Sequence, residues 1–186
     1  MLFILITLSG CNRVNLDNIE ATELIKKTLQ LPKQYREDIG LGWGASSWLD
    51  ALQADGFIVY TIEYHGAFSD PSLYLFPTDK GHPYYLGKDP NSNKYMFKTN
   101  DIDFDQITGV AIQKSSQTAT IRFNIKATNI TPIALSLRKI NYIKYSLDNP
   151  ISGELIFKKF DNGWQLQSGS NKSSNDLLSD ILKVNE

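Results

Sequence analysis

The chain has 186 residues, a formal net charge of -1 at pH 7 and a single cysteine. This length suits one domain with a buried core, and the near balance of charges excludes the strongly basic surface that recruits nucleic acid. A lone cysteine also excludes an intrachain disulfide, so we expect packing alone to stabilise the fold.

An apolar run at the N-terminus, Leu2 to Leu8, leads into Leu8-Ser9-Gly10-Cys11. This segment resembles the lipobox of bacterial lipoproteins, although no Lys or Arg precedes it as in most signal peptides. The resemblance implies a signal peptide over residues 1–10, a tether over residues 11–16 and acyl chains on Cys11. The apolar run is too short to cross a bilayer itself, because a spanning helix needs about 20 apolar residues. Asn12, where an aspartate would favour inner-membrane retention, implies the outer membrane facing the periplasm. The alternative is a buried strand with Cys11 in the core.

The first predicted helix begins after this tether. Asp17 is suited to cap it, with Glu20 three residues on as in a capping box, and apolar residues recur at helical spacing from Ala21 to Leu29. Residues 33–44 are predicted to form a connector, because their glycines favour turns, with Trp43 at the edge of the core.

A second, shorter helix is predicted from Trp48, Leu49 and Leu52, and Gly56 is a natural stop for it. From Phe57 to His65 the apolar period changes from helical to two, which predicts a strand. Turn-forming residues separate three shorter predicted strands, Leu73–Phe76, Tyr84–Leu86 and Tyr95–Lys98.

The second half of the chain is richer in strand patterns. Neighbouring strands are predicted at Val110–Lys114 and Thr118–Thr128, and the latter alternates apolar and polar residues. The state of Pro132–Leu147 is open, and its alternating apolar residues favour a strand. A hairpin with an inward Trp164 is predicted over residues 154–167, followed by an amphipathic terminal helix that carries Leu177, Leu178, Ile181 and Leu182.

Helices followed by antiparallel strands indicate a single α+β domain over residues 17–186, with N-terminal helices packed on a curved sheet. The hairpin segment Phe160-Asp161-Asn162-Gly163-Trp164 resembles the last hairpin of cystatin-like domains, the cone shared by nuclear-transport-factor-like proteins. The resemblance implies a fold and leaves the function open.

Candidate chemistry is sparse. Glu63 and His65 are two residues apart on one predicted strand, as an acid/base pair or metal ligands would be; the alternative is a solvated sheet face. Three alternating acids, Asp101, Asp103 and Asp105, suggest a weak calcium loop or ordinary solvated acids, and they lack the glycine and glutamate of an EF-hand. No nucleophile elbow or phosphate loop is present. We therefore assign no catalytic residue, metal or cofactor.

Aromatic residues concentrate in the middle of the chain, at Tyr60, Tyr64, Phe68, Tyr74, Phe76, Tyr84, Tyr85 and Tyr95. About two thirds are expected to be core, which leaves His82, Tyr84 and Tyr85 as the predicted exposed binding surface. This pattern favours a non-enzymatic protein-binding lipoprotein, one version being an immunity protein against a periplasmic toxin. The alternatives are an acid/base enzyme with a cavity under the sheet and a glycan binder that uses the paired tyrosines.

Overall fold

The computed structural model describes residues 15–41, 45–66, 70–167 and 172–184. Cys11 with the whole lipobox-like segment, Trp43 and Phe68 lie outside these residues. Within them the fold is α+β, with four helices and a strongly curled antiparallel sheet. None of the helices in the described part of the chain is long and apolar enough to cross a membrane.

The elements follow one another in an interleaved order. They are α1 (Asn18–Leu29), β1 (Lys33–Ile39), α2 (Ala45–Ala54), β2 (Ile58–Glu63), β3 (Ser72–Pro77), a short 3-10 turn (His82–Tyr84), β4 (Tyr85–Lys88), β5 (Tyr95–Gln113), β6 (Thr118–Thr128), α3 (Pro132–Lys139), β7 (Ile151–Phe160), β8 (Gly163–Leu166) and α4 (Ser174–Val184).

The main sheet is organised around β5, which is 19 residues long. The strand order is β1-β5-β6-β7-β8, all antiparallel, and β4 also pairs with β5. Because β1 and β6 both pair with Asp101 and Ile102, they lie on opposite edges of β5. Register shifts between Phe104 and Gln106 and between Ile107 and Gly109 interrupt the β5–β6 ladder, and such bulges bend a sheet.

A separate two-stranded ribbon is formed by β2 and β3, with Ile58 opposite Pro77 and Glu63 opposite Ser72. The Tyr95 hydroxyl attaches this ribbon to the main sheet. It accepts a hydrogen bond from the Leu75 N–H and donates one to the Leu73 carbonyl, both at 3.1 Å. The outer side of β3 therefore lies against the start of β5.

One hydrophobic cluster holds the described elements together. α1 and α3 pack on β5, α4 packs on α1 and β7, and α2 packs on α3 and β2. The predicted core face of β6 is confirmed, since four of its alternating residues are buried: Ala119, Ile121, Phe123 and Ile125.

Several local predictions are confirmed. The Asp17 carboxylate caps α1 by accepting a hydrogen bond from the Glu20 N–H at 2.8 Å. Gly56 ends α2 with a positive φ of 76°, and Trp164 is buried on β8. The predicted tether over residues 11–16 is wrong at its end, because Leu16 is buried in the core.

The connector predicted over residues 33–44 is wrong for its first seven residues, which form β1. Only Tyr35 and Ile39 are apolar in this strand, and the inward alternation includes Lys33 and Glu37. No apolar period of two is visible in such a segment. Pairing with β5 from Tyr95 to Ile102 supplies the backbone hydrogen bonds that make it a strand.

The strand favoured for Pro132–Leu147 is also wrong, because α3 occupies Pro132–Lys139. The Thr131 hydroxyl caps this helix by accepting a hydrogen bond from the Ala134 N–H, and Pro132 fits its first turn. Ile133 and Leu137 are buried while Leu135 is 40% exposed, which is the helical period. A threonine before a proline is a local signal for the start of a helix, and the strand interpretation overlooked it.

The strands predicted at Tyr95–Lys98 and Val110–Lys114 are parts of the single strand β5. The predicted order of helices followed by strands is wrong as well, because β1 separates the first two helices and α3 separates β6 from β7. The polar segment Lys33–Ile39 receives its strand partner from a distant part of the chain, whereas α3 has a local cap.

Candidate functional site

Three large hydrophobic side chains of the β2–β3 ribbon are exposed: Val59, Tyr74 and Phe76. Val59 lies opposite Phe76, and Thr61 lies opposite Tyr74; directly opposed residues share a face. Val59 is 55%, Phe76 63% and Tyr74 43% exposed. We call Val59, Thr61, Tyr74 and Phe76 the ribbon face. Because the other face is also apolar and packs inward, this ribbon has apolar side chains on both sides.

The inward face of the ribbon is fixed by packing and one polar contact. Ile58 and Leu75 are buried, and Tyr60 is half-buried. The Tyr60 hydroxyl donates a 2.6 Å hydrogen bond to Asp50 on α2, and this bond to the carboxylate raises the pKa of Tyr60 above its ordinary value. The ribbon is therefore held in one orientation against α2.

A partly open cleft of about 870 Å³ lies along the edge of β3 that faces away from β2. Its lining includes Ser72 and Tyr74 from β3, Asp70 before it, and Lys88 and Lys94 from β4 and the turn that follows. The Lys88 ammonium lies 4.9 Å from the centre of the Tyr95 ring. The cleft thus presents both signs of charge beside an aromatic edge.

A buried polar cluster lies on the inward side of β1. The Tyr145 hydroxyl donates a 2.7 Å hydrogen bond to the Asn100 side-chain oxygen, and its ring packs edge-on to Tyr35 at 5.3 Å. Burial raises the pKa of Glu37 to about 7, and the neighbouring Asp38 carboxylate adds to the rise. Burial and the Glu37 carboxylate raise the pKa of Tyr142 and Tyr145. No sequence pattern singled out Glu37, because only the fold brings it next to tyrosines more than a hundred residues away.

The predicted acid/base pair lies at the exposed end of the ribbon. Glu63 ends β2, and the His65 Nε2 atom lies 2.9 Å from the Ser72 hydroxyl oxygen. In the described part of the chain no hydrogen bond or ion pair joins the Glu63 carboxylate to the His65 ring. The structure therefore brings His65 together with Ser72, and an acid/base role for the pair stays a prediction.

The predicted surface at His82, Tyr84 and Tyr85 is only partly exposed. His82 is exposed, whereas both tyrosines are half-buried. Tyr84 packs edge-on to Phe57 at 6.5 Å, and Tyr85 packs on Phe97 at 5.3 Å. Binding at these residues stays a prediction, while Tyr64, Tyr74 and Phe76 expose more of their rings, with Tyr64 at 77%.

The loop predicted for the three alternating acids is wrong, because all three lie within β5. Asp101 is 2.9 Å from the Lys98 ammonium and accepts a hydrogen bond from the Asn129 amide, and Asp105 is 3.1 Å from the Lys126 ammonium. Asp103 accepts a hydrogen bond from the Phe104 N–H. Across the described ranges no group of three or more His, Cys, Asp and Glu residues is placed to hold a metal ion.

Comparison of the chain with protein-family models, with curated proteins and with solved structures gave no match. Family membership therefore assigns no residue a role. Part of the signal for the ribbon face was present in the sequence, since the four residues Phe57–Tyr60 are all apolar or aromatic. What the alternation left open was which set faces outward.

Proposed function

We propose that this protein is a lipid-anchored, non-enzymatic protein-binding module of the bacterial envelope. The lipobox-like Leu8-Ser9-Gly10-Cys11 segment supports the anchor. By the same resemblance the protein is attached to the outer membrane and faces the periplasm. We also propose the cystatin-like cone as the finer description of its curled sheet.

The observation that carries the binding role is the ribbon face. Val59 and Phe76, opposite each other on neighbouring strands, are both more than half exposed. Contiguous exposed apolar side chains on a rigid element are typical of interaction sites, because water disfavours such a surface unless a partner covers it. Among protein-binding functions we favour an immunity protein that blocks a periplasmic toxin, since this function requires only attachment in the envelope and a surface complementary to the toxin.

Two experiments in the native host test the two parts of this proposal. Cys11→Ser should move the protein from the membrane fraction to the soluble periplasmic fraction, because the thiol that carries the acyl chains is removed. Unchanged fractionation would refute the lipid anchor.

For the binding role, a photo-reactive benzophenone side chain is placed at position 76 in the anchored protein. It should give one discrete crosslinked adduct with another protein. The matched control is the same side chain at position 160, where Phe160 is 45% exposed at the far end of β7. Absence of an adduct at position 76, or the same adduct at both positions, would contradict binding through the ribbon face.

The cleft beside β3 favours a second function, the binding of a small polar ligand or glycan. Its volume of about 870 Å³ is sufficient for such a ligand, and Tyr74 and Lys88 offer a stacking surface and a cation. Titration with muropeptides should shift the resonances of these two residues. Unchanged spectra would remove this function.

A further inference from the structure

We propose that the edge of β2 that faces away from β3 binds an extended, basic segment of the partner protein, which adds to the ribbon as a third strand. This inference rests on the proposed function and specifies how the partner is recognised.

The hydrogen-bonding pattern of the ribbon shows which backbone groups point to that edge. The Tyr95 hydroxyl bonds the Leu73 carbonyl and the Leu75 N–H, so both of these groups point away from β2. Their opposite residues, Ile62 and Tyr60, must then also direct their N–H and C=O groups away from β3. Ile58 has the same parity, and Pro77 opposite it has no N–H to offer.

The two edges of the ribbon therefore differ in the hydrogen-bond partners of their backbone groups. The β3 edge has a side-chain partner in Tyr95. On the β2 edge, no described strand and no described backbone group pairs with Ile58, Tyr60 or Ile62. A row of alternating donors and acceptors is the template that an extended chain satisfies, as in recognition by strand addition.

The exposed side chains beside this edge specify one face of the added strand. A strand paired with β2 would place every second side chain next to Val59 and Thr61. These side chains would extend the ribbon face onto the added strand. Apolar side chains at those positions would cover Val59, which is 55% exposed. The partner segment should therefore alternate apolar residues with other residues.

The charge around β2 indicates that the segment is otherwise basic, including the residue that lies beside Glu63, because Glu63 shares the face of Val59 and Thr61. From the end of β1 to the turn after β3, residues 40–79 contain five carboxylates and no lysine or arginine, although the whole chain has 19 basic and 20 acidic residues. Lys80 follows, with its ammonium 4.3 Å from the centre of the Phe57 ring that precedes β2. Glu63 lies on β2, and Asp50 contacts Tyr60. In the described structure neither forms an ion pair, whereas Asp55 lies 3.0 Å from the Lys139 ammonium.

The same charge disfavours a second copy of the chain at this edge. Antiparallel pairing of β2 with β2 of another copy, centred on Tyr60, would bring the two Asp50 carboxylates that contact Tyr60 towards each other, and like charges repel at an interface. A basic strand is attracted by these carboxylates, whereas a second copy of β2 is repelled by them.

The test uses the full protein carrying Cys11→Ser and two synthetic peptides, Lys-Lys-Val-Lys-Val-Lys-Lys and its counterpart with glutamate in place of lysine. With its two valines beside Val59 and Thr61, the first peptide places a lysine beside Glu63 in either strand direction. We expect the lysine peptide to shift the amide resonances of Tyr60 and Ile62 and to slow their hydrogen exchange. The amides of Val59 and Thr61, already directed towards β3, should keep their exchange rates. The glutamate peptide should bind at least about tenfold more weakly.

Two charge variants distinguish attraction of the lysine peptide to Glu63 from its attraction to the overall charge of the protein. Glu63→Lys should weaken the lysine peptide several-fold, whereas Asp161→Lys, the same change in the exposed β7–β8 turn, should leave its affinity unchanged. Equal effects of the two variants, silent Tyr60 and Ile62 amides, or a concentration-dependent dimer that protects these amides would overturn strand addition. An adduct at position 76 combined with silent edge amides overturns only this inference, whereas loss of that adduct overturns the protein-binding function itself.

Discussion

The carboxyl group of Glu37 should make the stability of this protein fall as the pH rises. Its side chain faces inward from β1, and burial raises its pKa from 4.5 to about 7, with a further contribution from Asp38. A raised carboxyl pKa means that the folded state binds the proton more tightly than the unfolded state. The contribution to stability is therefore complete below about pH 4.5 and is lost as the pH rises through about 7.

The size of this effect follows from the shift. A rise from 4.5 to about 7 corresponds to about 3 kcal/mol between acid and pH 8, at about 1.4 kcal/mol for each pH unit. Glu37→Gln replaces the titrating group with a neutral one of the same shape. Relative to this variant, the wild-type protein should lose about 3 kcal/mol of unfolding free energy over that range.

Urea unfolding at pH 4.5 and pH 8 measures the difference, with tryptophan fluorescence as the probe. Trp48 is a suitable reporter because its ring is 6.5 Å from that of Tyr142, which borders the cluster. The gap between the urea midpoints of the two proteins should change by roughly 1 to 2 M between these pH values. Glu23→Gln, the same substitution at an exposed position of α1, should follow the wild type. Parallel pH profiles for wild type and Glu37→Gln would refute the reasoning.

Three further substitutions test the packing and the polar contacts. Asp17→Ala removes the cap of α1 and should cost about 1 kcal/mol in urea unfolding; an unchanged midpoint would argue against the cap. Gly153→Ala would place a Cβ atom 2.7 Å from the Phe123 Cζ atom, so we expect a loss of about 1 to 3 kcal/mol in thermal unfolding, and a raised Tm would contradict it. Tyr145→Phe takes the hydroxyl donor from the buried Asn100 oxygen and should also cost about 1 to 3 kcal/mol in urea; a neutral result would show that another donor replaces it.

Segments with a clear local pattern were predicted well. Helix α1 has a cap, a regular apolar stripe and a stop, and β6 alternates along its entire length. Both segments encode their structure within about a dozen residues. The candidate residues were harder to interpret, because Glu63 and His65 looked paired in the sequence, whereas the structure places the His65 ring next to Ser72.

The sequence alone determined the mixed α+β class, the capped first helix, the last hairpin and the strand that begins after Gly56. Only the tertiary structure decided that the polar segment Lys33–Ile39 is a strand and that Glu37 faces inward from it. It also decided that Val59 and Phe76 form an exposed face, beside an edge of β2 that pairs with no strand of the described residues. The physical reason is that local periodicity shows only how a segment distributes its apolar and polar side chains between its two faces. Exposure, pKa and strand pairing depend on groups that come from distant positions in the chain.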